Sequence, residues 1–224
     1  VRGARVGVRG WGGTGSTAET RSGQGPRRLW ADDLVLALKT LSLDYPILCG
    51  WSYGPLVILD YLRHYGEGGI GGLTFVGGIT KLGSDEATAV LTSEFLSLVP
   101  GFFAEDAEAS VRSLESLLRL CFAREPSAED LRLMLEYNRS VPLYVRQALL
   151  SRSFDNDDLL PKIRKPVLVM HGTEDAVVKP AVVDQHKAGM AHAKIQMMAN
   201  AGHAAFWDDP AMFNRHLRAF AESL

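Results

Sequence analysis

The most informative part of this sequence is the stretch Ile47-Leu48-Cys49-Gly50-Trp51-Ser52-Tyr53-Gly54. Its first residues are apolar, as in a buried parallel strand, and an apolar helical pattern follows it. Residues 50–54 match G-x-S-x-G, in which a sharp turn from strand to helix lifts a serine hydroxyl above a sheet, with a glycine on each side for close backbone approach. The N–H of Tyr53, at the start of the helix, can bind a developing oxyanion. The alternative is a glycine-rich turn with an incidental serine, but the strand and helix around Ser52 favour a nucleophile.

A serine hydroxyl is a poor nucleophile unless a general base lies within hydrogen-bond reach. His203 is the candidate base, because it lies in a loop between the last predicted strand and the final helix. Asp175 follows the preceding strand and is the candidate acid that orients the imidazole. All three loops leave the carboxyl ends of strands, where open α/β sheets place their sites. Glu174 is the fallback acid, and Asp85 is a weaker one.

Predicted strands and helices alternate along most of the chain. This alternation predicts an α/β fold, in which a mostly parallel sheet is covered by helices on both faces. The gap before the third strand is much longer than the dozen or so residues that a crossover helix needs, and amphipathic helical patterns fill it. We predict an α/β core of residues 1–79 and 164–224, with a helical cap of residues 80–163 above the carboxyl ends of the strands. The four predicted parallel strands lie near residues 47–50, 73–77, 167–170 and 194–198.

The composition narrows the class of protein. The chain has 224 residues, of which 46% are hydrophobic and 22% charged, as in a globular protein of one domain or a domain with an insertion. The net charge of −2 gives no reason to expect nucleic acid or an anionic membrane as a partner. The chain also has no apolar run near the roughly 20 residues of a membrane-spanning helix, and its first residues lack a secretory signal pattern. We therefore expect a cytoplasmic protein.

The remaining cysteines and histidines do not indicate a metal or a cofactor. Cys49 and Cys121 lie in apolar surroundings, so we expect both to be buried thiols. His171 shares a loop with Asp175 and is expected to be structural. The other histidines show no metal-binding spacing such as H-E-x-x-H, and we expect surface or packing roles for His64, His186, His192 and His216.

A different class of function is suggested by the glycines near the start of the chain. Residues 10–15 satisfy G-x-G-x-x-G after a short valine-containing segment, which is the pattern of a dinucleotide-binding loop. The following residues 16–26 form a poor helix, because Gly23, Gly25 and Pro26 interrupt it. This dinucleotide-binding module remains a remote alternative.

From residue 29 to the end, the chain resembles α/β-hydrolases of the serine esterase and non-haem haloperoxidase (perhydrolase) type. The similar stretches are ILCGWSYG, PVLVMHGTEDAVV and AGHAAFWDDPAMFNRHLRAF, and VRGWGGTGS resembles the family's arginine-glycine loop. The resemblance implies that Ser52, His203 and Asp175 form a catalytic triad that cleaves esters through an acyl-enzyme. Serine at position 52 disfavours dehalogenase and epoxide-hydrolase chemistry. Perhydrolase, lactonase, thioesterase and C–C hydrolase activities share this triad and stay open.

Relative to that family, the chain lacks the first strands and the oxyanion loop that contains a His-Gly pair. That loop normally donates the second of two backbone N–H groups, and Tyr53 would donate the first. Because loss of one donor costs roughly 10²–10³ in rate, we expect either a longer functional protein or a catalytically impaired binding protein. The Leu, Phe and Met content of the predicted cap indicates a mainly apolar acyl or alcohol group. Trp51, next to Ser52, is a candidate substrate contact.

Overall fold

A computed structural model describes residues 26–224 of the chain. The glycine pattern at residues 10–15 and the arginine-glycine loop lie outside the described residues. The described strands are β1 (Ile47–Trp51), β2 (Gly72–Val76), β3 (Lys81–Leu82), β4 (Phe154–Asp155), β5 (Val167–Gly172) and β6 (Lys194–Met198). The helices are α1 (Pro26–Thr40), α2 (Gly54–Tyr65), α3 (Asp85–Ala89), α4 (Ser93–Phe102), α5 (Ala107–Leu120), α6 (Ala128–Arg139), α7 (Leu143–Leu150), α8 (Val182–Gly189), α9 (Ala205–Asp208) and α10 (Pro210–Glu222).

Four of the strands form one parallel sheet in the order β1-β2-β5-β6, which confirms the predicted α/β architecture. The register pairs Trp51 with Val76 and Val76 with Met170. The carboxyl ends of β1, β2 and β5 therefore lie side by side, so the loops that follow them emerge at one edge of the sheet.

Helices cover both faces of this sheet. All six residues of β5 are buried, and successive side chains of a strand point to opposite faces. Val167 and Val169 accordingly join one hydrophobic cluster, which includes Leu56 and Leu59 of α2. Leu168 and Met170 belong to a second cluster, which contains Phe213 and Phe220 of α10. The continuous apolar run of this strand is explained by burial on both sides.

Five helices, α3 to α7, lie between β2 and β5, where the long gap predicted an insertion. The N-terminal boundaries of four of them follow from side-chain caps, because an oxygen at the N-cap accepts an otherwise unpaired N–H. Ser84 accepts from Ala87 N at 3.1 Å. Thr92 accepts from Phe95 N at 3.1 Å, and Ser127 accepts from Asp130 N at 3.1 Å. Asp106 accepts from Glu108 N at 2.8 Å. Among the described helices, none is long and apolar enough to cross a membrane.

The two cysteines differ in exposure, although burial raises the pKa of both thiols, to about 11 for Cys49 and to about 12 for Cys121. Cys121 is buried, whereas Cys49 is exposed on β1. Leu48 and Gly50 are buried, while Cys49 and Trp51 alternate with them on the exposed side of the same strand. Because β1 forms one edge of the described sheet, burial is confirmed for Cys121 and stays a prediction for Cys49.

Candidate active site

Ser52 lies in the sharp turn between β1 and α2. Its φ of 56° is in the left-handed region, which a non-glycine residue rarely adopts. Two backbone hydrogen bonds hold this conformation: Ser52 N donates to Val76 O at 2.9 Å, and Ile79 N donates to Ser52 O at 3.2 Å. The turn is therefore tied to the loop that follows β2, and its strain is maintained by the neighbouring strand.

The two glycines of the G-x-S-x-G pattern have different surroundings. A Cβ atom on Gly50 would lie 2.6 Å from the carbonyl carbon of Gly54 and 2.7 Å from Pro55 N. Among residues 26–224, and apart from the backbone of its own helix, a Cβ atom on Gly54 would have no atom within 4 Å. The close approach of strand and helix thus requires glycine at position 50, whereas no described residue crowds position 54.

Asp175 and His203 are brought together from the loops after β5 and β6. His203 Nδ1 lies 2.8 Å from Asp175 Oδ2, and both side chains are buried. The other carboxylate oxygen, Oδ1, accepts hydrogen bonds from Val177 N and Val178 N, each at 2.8 Å. These two bonds fix the plane of the carboxylate. Because the carboxylate accepts from Nδ1, His203 keeps Nε2 as the acceptor that a general base needs.

A second histidine also contacts the acid. His171 Nε2 lies 3.1 Å from Asp175 Oδ2 and 3.0 Å from Val178 O, so this nitrogen faces two acceptors and must carry a proton. The His171 side chain is fully buried, in agreement with its expected structural role. His171 and His203 therefore both contact Oδ2 of Asp175.

The pKa of Asp175 is well below its ordinary value. Burial raises this pKa, but the hydrogen bonds from His171 and His203, together with the electrostatic attraction between the carboxylate and these rings, lower it by more. The Asp175 carboxylate is consequently ionised at neutral pH. An ionised acid in this position stabilises the imidazolium that forms when His203 accepts a proton.

Trp51 links the serine turn to the loop that carries His203. Its indole Nε1 donates to His203 O at 2.8 Å, and its ring centroid lies 5.4 Å from that of His203. It also makes an edge contact with Phe206 at 5.2 Å. Ser52 therefore directly follows a residue that contacts both the backbone and the ring of the candidate base. The indole N–H already has an acceptor, and the predicted contact of Trp51 with substrate stays a prediction.

Gly77, which the sequence did not single out, is part of the same site. Its φ is 51°, and its N donates to Met170 O at 3.0 Å. A Cβ atom there would lie 3.0 Å from His203 Nδ1 and 3.3 Å from Asp175 Oδ2. Glycine at this position leaves space for the acid–base pair. A glycine pair directly after a buried strand, at positions 77 and 78, was the available signal.

The structure also shows where the other predicted site residues lie. Tyr53 is the N-cap residue of α2, and its hydroxyl accepts from Arg152 Nη1 at 3.1 Å. Among the described residues, Asp175 is the carboxylate hydrogen-bonded to His203, whereas Glu174 is exposed and Asp85 begins α3. Within residues 26–224, no group of three or more His, Cys, Asp or Glu residues is placed to hold a metal ion.

The chain belongs to the α/β-hydrolase family, since residues 5–216 match the model of the alpha/beta hydrolase family. Among solved structures, the esterase RhEst1 from Rhodococcus sp. ECU1013 is 32% identical with a TM-score of 0.88, covering 97% of this chain and 78% of that one. The AB hydrolase superfamily protein YisY of Bacillus subtilis is 26% identical over 206 residues, which are 86% of this chain and 72% of that protein. The pimeloyl-[acyl-carrier protein] methyl ester esterase of Aromatoleum aromaticum is 28% identical over 191 residues, covering 81% and 74%.

Proposed function

We propose that this α/β-hydrolase is a serine esterase in which Ser52 is the nucleophile, His203 the general base and Asp175 the acid. The observation that carries the proposal is the buried 2.8 Å contact between Asp175 and His203, which leaves Nε2 of the ring as an acceptor. The strained turn at Ser52, which Trp51 connects to His203, supports the role of Ser52 as the nucleophile. Two of the relatives are named as esterases, which favours carboxylic esters as the substrate class.

The reaction follows from these roles. His203 Nε2 accepts the hydroxyl proton as Ser52 Oγ forms a bond to the ester carbonyl carbon, and the carbonyl electrons move to its oxygen. The N–H of Tyr53, at the start of α2, is the first donor that we assign to this oxyanion. When the oxyanion collapses, the alkoxide leaves with the proton from His203, and Ser52 keeps the acyl group. Water then gives a proton to His203, attacks the acyl carbon and releases the acid, with Ser52 regaining its proton.

We assign the substrate-covering role to the helical insertion, in the range of residues 80–163 expected for a cap. Two contacts with the site support this assignment. The Tyr53 hydroxyl lies 3.4 Å from Leu149 O of α7, and the Phe122 ring lies 5.8 Å from that of Trp207, close to the loop of His203. The apolar residues of the insertion favour a substrate with an apolar acyl or alcohol group. We place the reaction in the cytoplasm. The ester named for one relative makes methyl esters the first compounds to test.

A fluorophosphonate probe tests the proposal, because it reacts with a serine only when a base activates that serine. We expect the full chain to be labelled on Ser52, as located by mass spectrometry of the modified peptide, and Ser52→Ala to remove the label. Hydrolysis of p-nitrophenyl esters of increasing chain length then gives the substrate range. Labelling that persists in Ser52→Ala would contradict the assignment, and a folded chain without label would favour the impaired binding protein.

A further inference from the structure

A buried carboxylate next to the site joins two distant parts of the chain. Asp208 is the last residue of α9, five positions after His203, and only 8% of its surface is exposed. Its Oδ2 accepts from Gly202 N at 2.8 Å and from Ala123 N at 3.0 Å, and its Oδ1 accepts from Arg124 N at 3.3 Å. We call residues 199–204 the histidine loop and residues 121–127, between α5 and α6, the junction segment. Asp208 thus binds backbone N–H groups of both.

Two further hydrogen bonds join the same segments. Ala204 N donates to Cys121 O at 2.7 Å, and the guanidinium of Arg124 donates from Nη2 to Asp208 O at 2.7 Å. Both chain neighbours of His203 are therefore held: Gly202 by the carboxylate of Asp208, and Ala204 by the junction segment. Together with the hydrogen bond from Trp51 Nε1 to His203 O, these bonds fix the backbone of His203 itself and of the residues before and after it.

The place of Asp208 is electrostatically unfavourable for a carboxylate. It is buried, which costs free energy unless the oxygens are hydrogen-bonded. The three backbone N–H groups offset this cost. They come from the two segments that must stay in contact if the insertion and the histidine loop are to keep one arrangement.

We propose that Asp208 is a positioning residue that clamps the histidine loop to the junction segment and so holds His203 on Asp175. The proposal rests on the function proposed above, because the ring that is held is the candidate base. It makes the helical insertion a structural support of the base as well as a cover. Loss of the carboxylate should let the loop and the ring move while the sheet stays intact.

The test compares Asp208→Asn with Asp209→Asn and the unchanged chain. An asparagine amide keeps only one acceptor oxygen, so at least one of the three backbone N–H groups loses its acceptor and faces an N–H donor instead, with little change in shape. Asp209 is the matched control: its Oδ1 accepts from Met212 N at 2.8 Å at the start of α10, and asparagine caps helices equally well. We expect Asp208→Asn to slow fluorophosphonate labelling about ten- to hundredfold, as for a misplaced catalytic group. Asp209→Asn should stay within about twofold.

A second readout follows the ring itself. In protein labelled with ¹⁵N-histidine, the His203 Nδ1–H that is bonded to Asp175 gives a low-field proton resonance, which Asp208→Asn should weaken or shift and Asp209→Asn should leave in place. Folded Asp208→Asn with an unchanged resonance and labelling rate would overturn the proposal. If the unchanged chain is not labelled, the proposed function is wrong, and the resonance still decides the role of Asp208.

Native-state hydrogen exchange of the unchanged chain covers the case in which Asp208→Asn does not fold. If the clamp joins the two segments, the amides of Ala123, Gly202 and Ala204 should open together, with one common dependence on denaturant. Separate openings of the junction segment and the histidine loop would overturn the proposal.

Discussion

The acid–base side and the nucleophile side of this site are built in different ways. Asp175 follows β5, a central strand whose six residues are all buried, and its carboxylate contacts two histidines and two backbone amides. Ser52 follows β1, the edge of the described sheet, where Cys49 and Trp51 are exposed. A left-handed turn with two backbone hydrogen bonds defines its position. Side-chain contacts thus fix the acid and base, and backbone geometry fixes the nucleophile.

This difference determines which substitutions should damage each side. On the acid–base side, changing one polar atom breaks a buried hydrogen bond and leaves its partner unpaired, which is costly. On the nucleophile side, the sensitive atoms belong to the backbone, so the added volume of a Cβ is the relevant perturbation. The following predictions separate the two sides, starting with the largest effect.

Asp175→Asn should lower kcat for ester hydrolysis by about 10⁴-fold, because an amide no longer holds His203 in the tautomer that leaves Nε2 free. The control is Glu174→Gln, which changes an exposed carboxyl at the neighbouring position and should leave kcat within about twofold. Steady-state kinetics of the two variants at equal folded concentration checks this. A larger loss in Glu174→Gln than in Asp175→Asn would show that the acid is misassigned.

A second effect on the acid–base side is pH-dependent and concerns His186. This fully buried ring packs against Phe75 with 6.1 Å between centroids, and its nitrogens have no hydrogen-bond partner among the described residues. Burial, and then the charge of His171, lower its pKa from 6.5 to about 4. Between these values the unfolded chain binds a proton that the folded chain does not. The contribution of His186 to the free energy of unfolding should therefore fall by about 3 kcal/mol as the pH drops from 6.5 to 4.

Urea unfolding at a series of pH values between 7 and 4, compared with His186→Leu, measures this contribution. The leucine variant has no proton to bind, so its stability should depend less on pH in this window. His64→Gln is the control, because His64 is exposed on α2 and its replacement should leave the slope unchanged. If the free energy of unfolding depended equally on pH in His186→Leu and in the unchanged chain, the lowered pKa of His186 would be contradicted.

The parts of the molecule that could be predicted from the sequence are those with local signals. Buried strands appear as apolar runs, and the pairing of Asp175 with His203 followed from their loops after β5 and β6. Gly77 and Asp208 were missed, because their roles depend on contacts that no local pattern reports. Asp208 binds amides 84 and 85 positions earlier, whereas its neighbour Asp209 caps the next helix. Two adjacent aspartates look alike in a sequence, and only the fold distinguishes them.

The smallest effects are expected on the nucleophile side, where the two glycines flanking Ser52 can be compared directly. Gly50→Ala should lower the free energy of unfolding by about 1–3 kcal/mol, because the new Cβ meets backbone atoms of Gly54 and Pro55 at 2.6 and 2.7 Å. These atoms begin α2, so the methyl group must push the helix away from the strand. Fluorophosphonate labelling of Ser52 should slow as well, since the turn moves with the helix.

Gly54→Ala is the matched control, with the same added methyl group four positions later. Its Cβ meets no atom of another described segment within 4 Å, and Gly54 is not among the residues of positive φ. Alanine at the start of α2 should therefore be neutral or stabilise the fold by up to about 1 kcal/mol, because it restricts the unfolded chain. Chemical unfolding of both variants gives the difference in stability. Gly54→Ala could also destabilise the protein as much as Gly50→Ala does. In that case backbone conformation would require glycine at both positions, and the steric explanation for position 50 would be wrong.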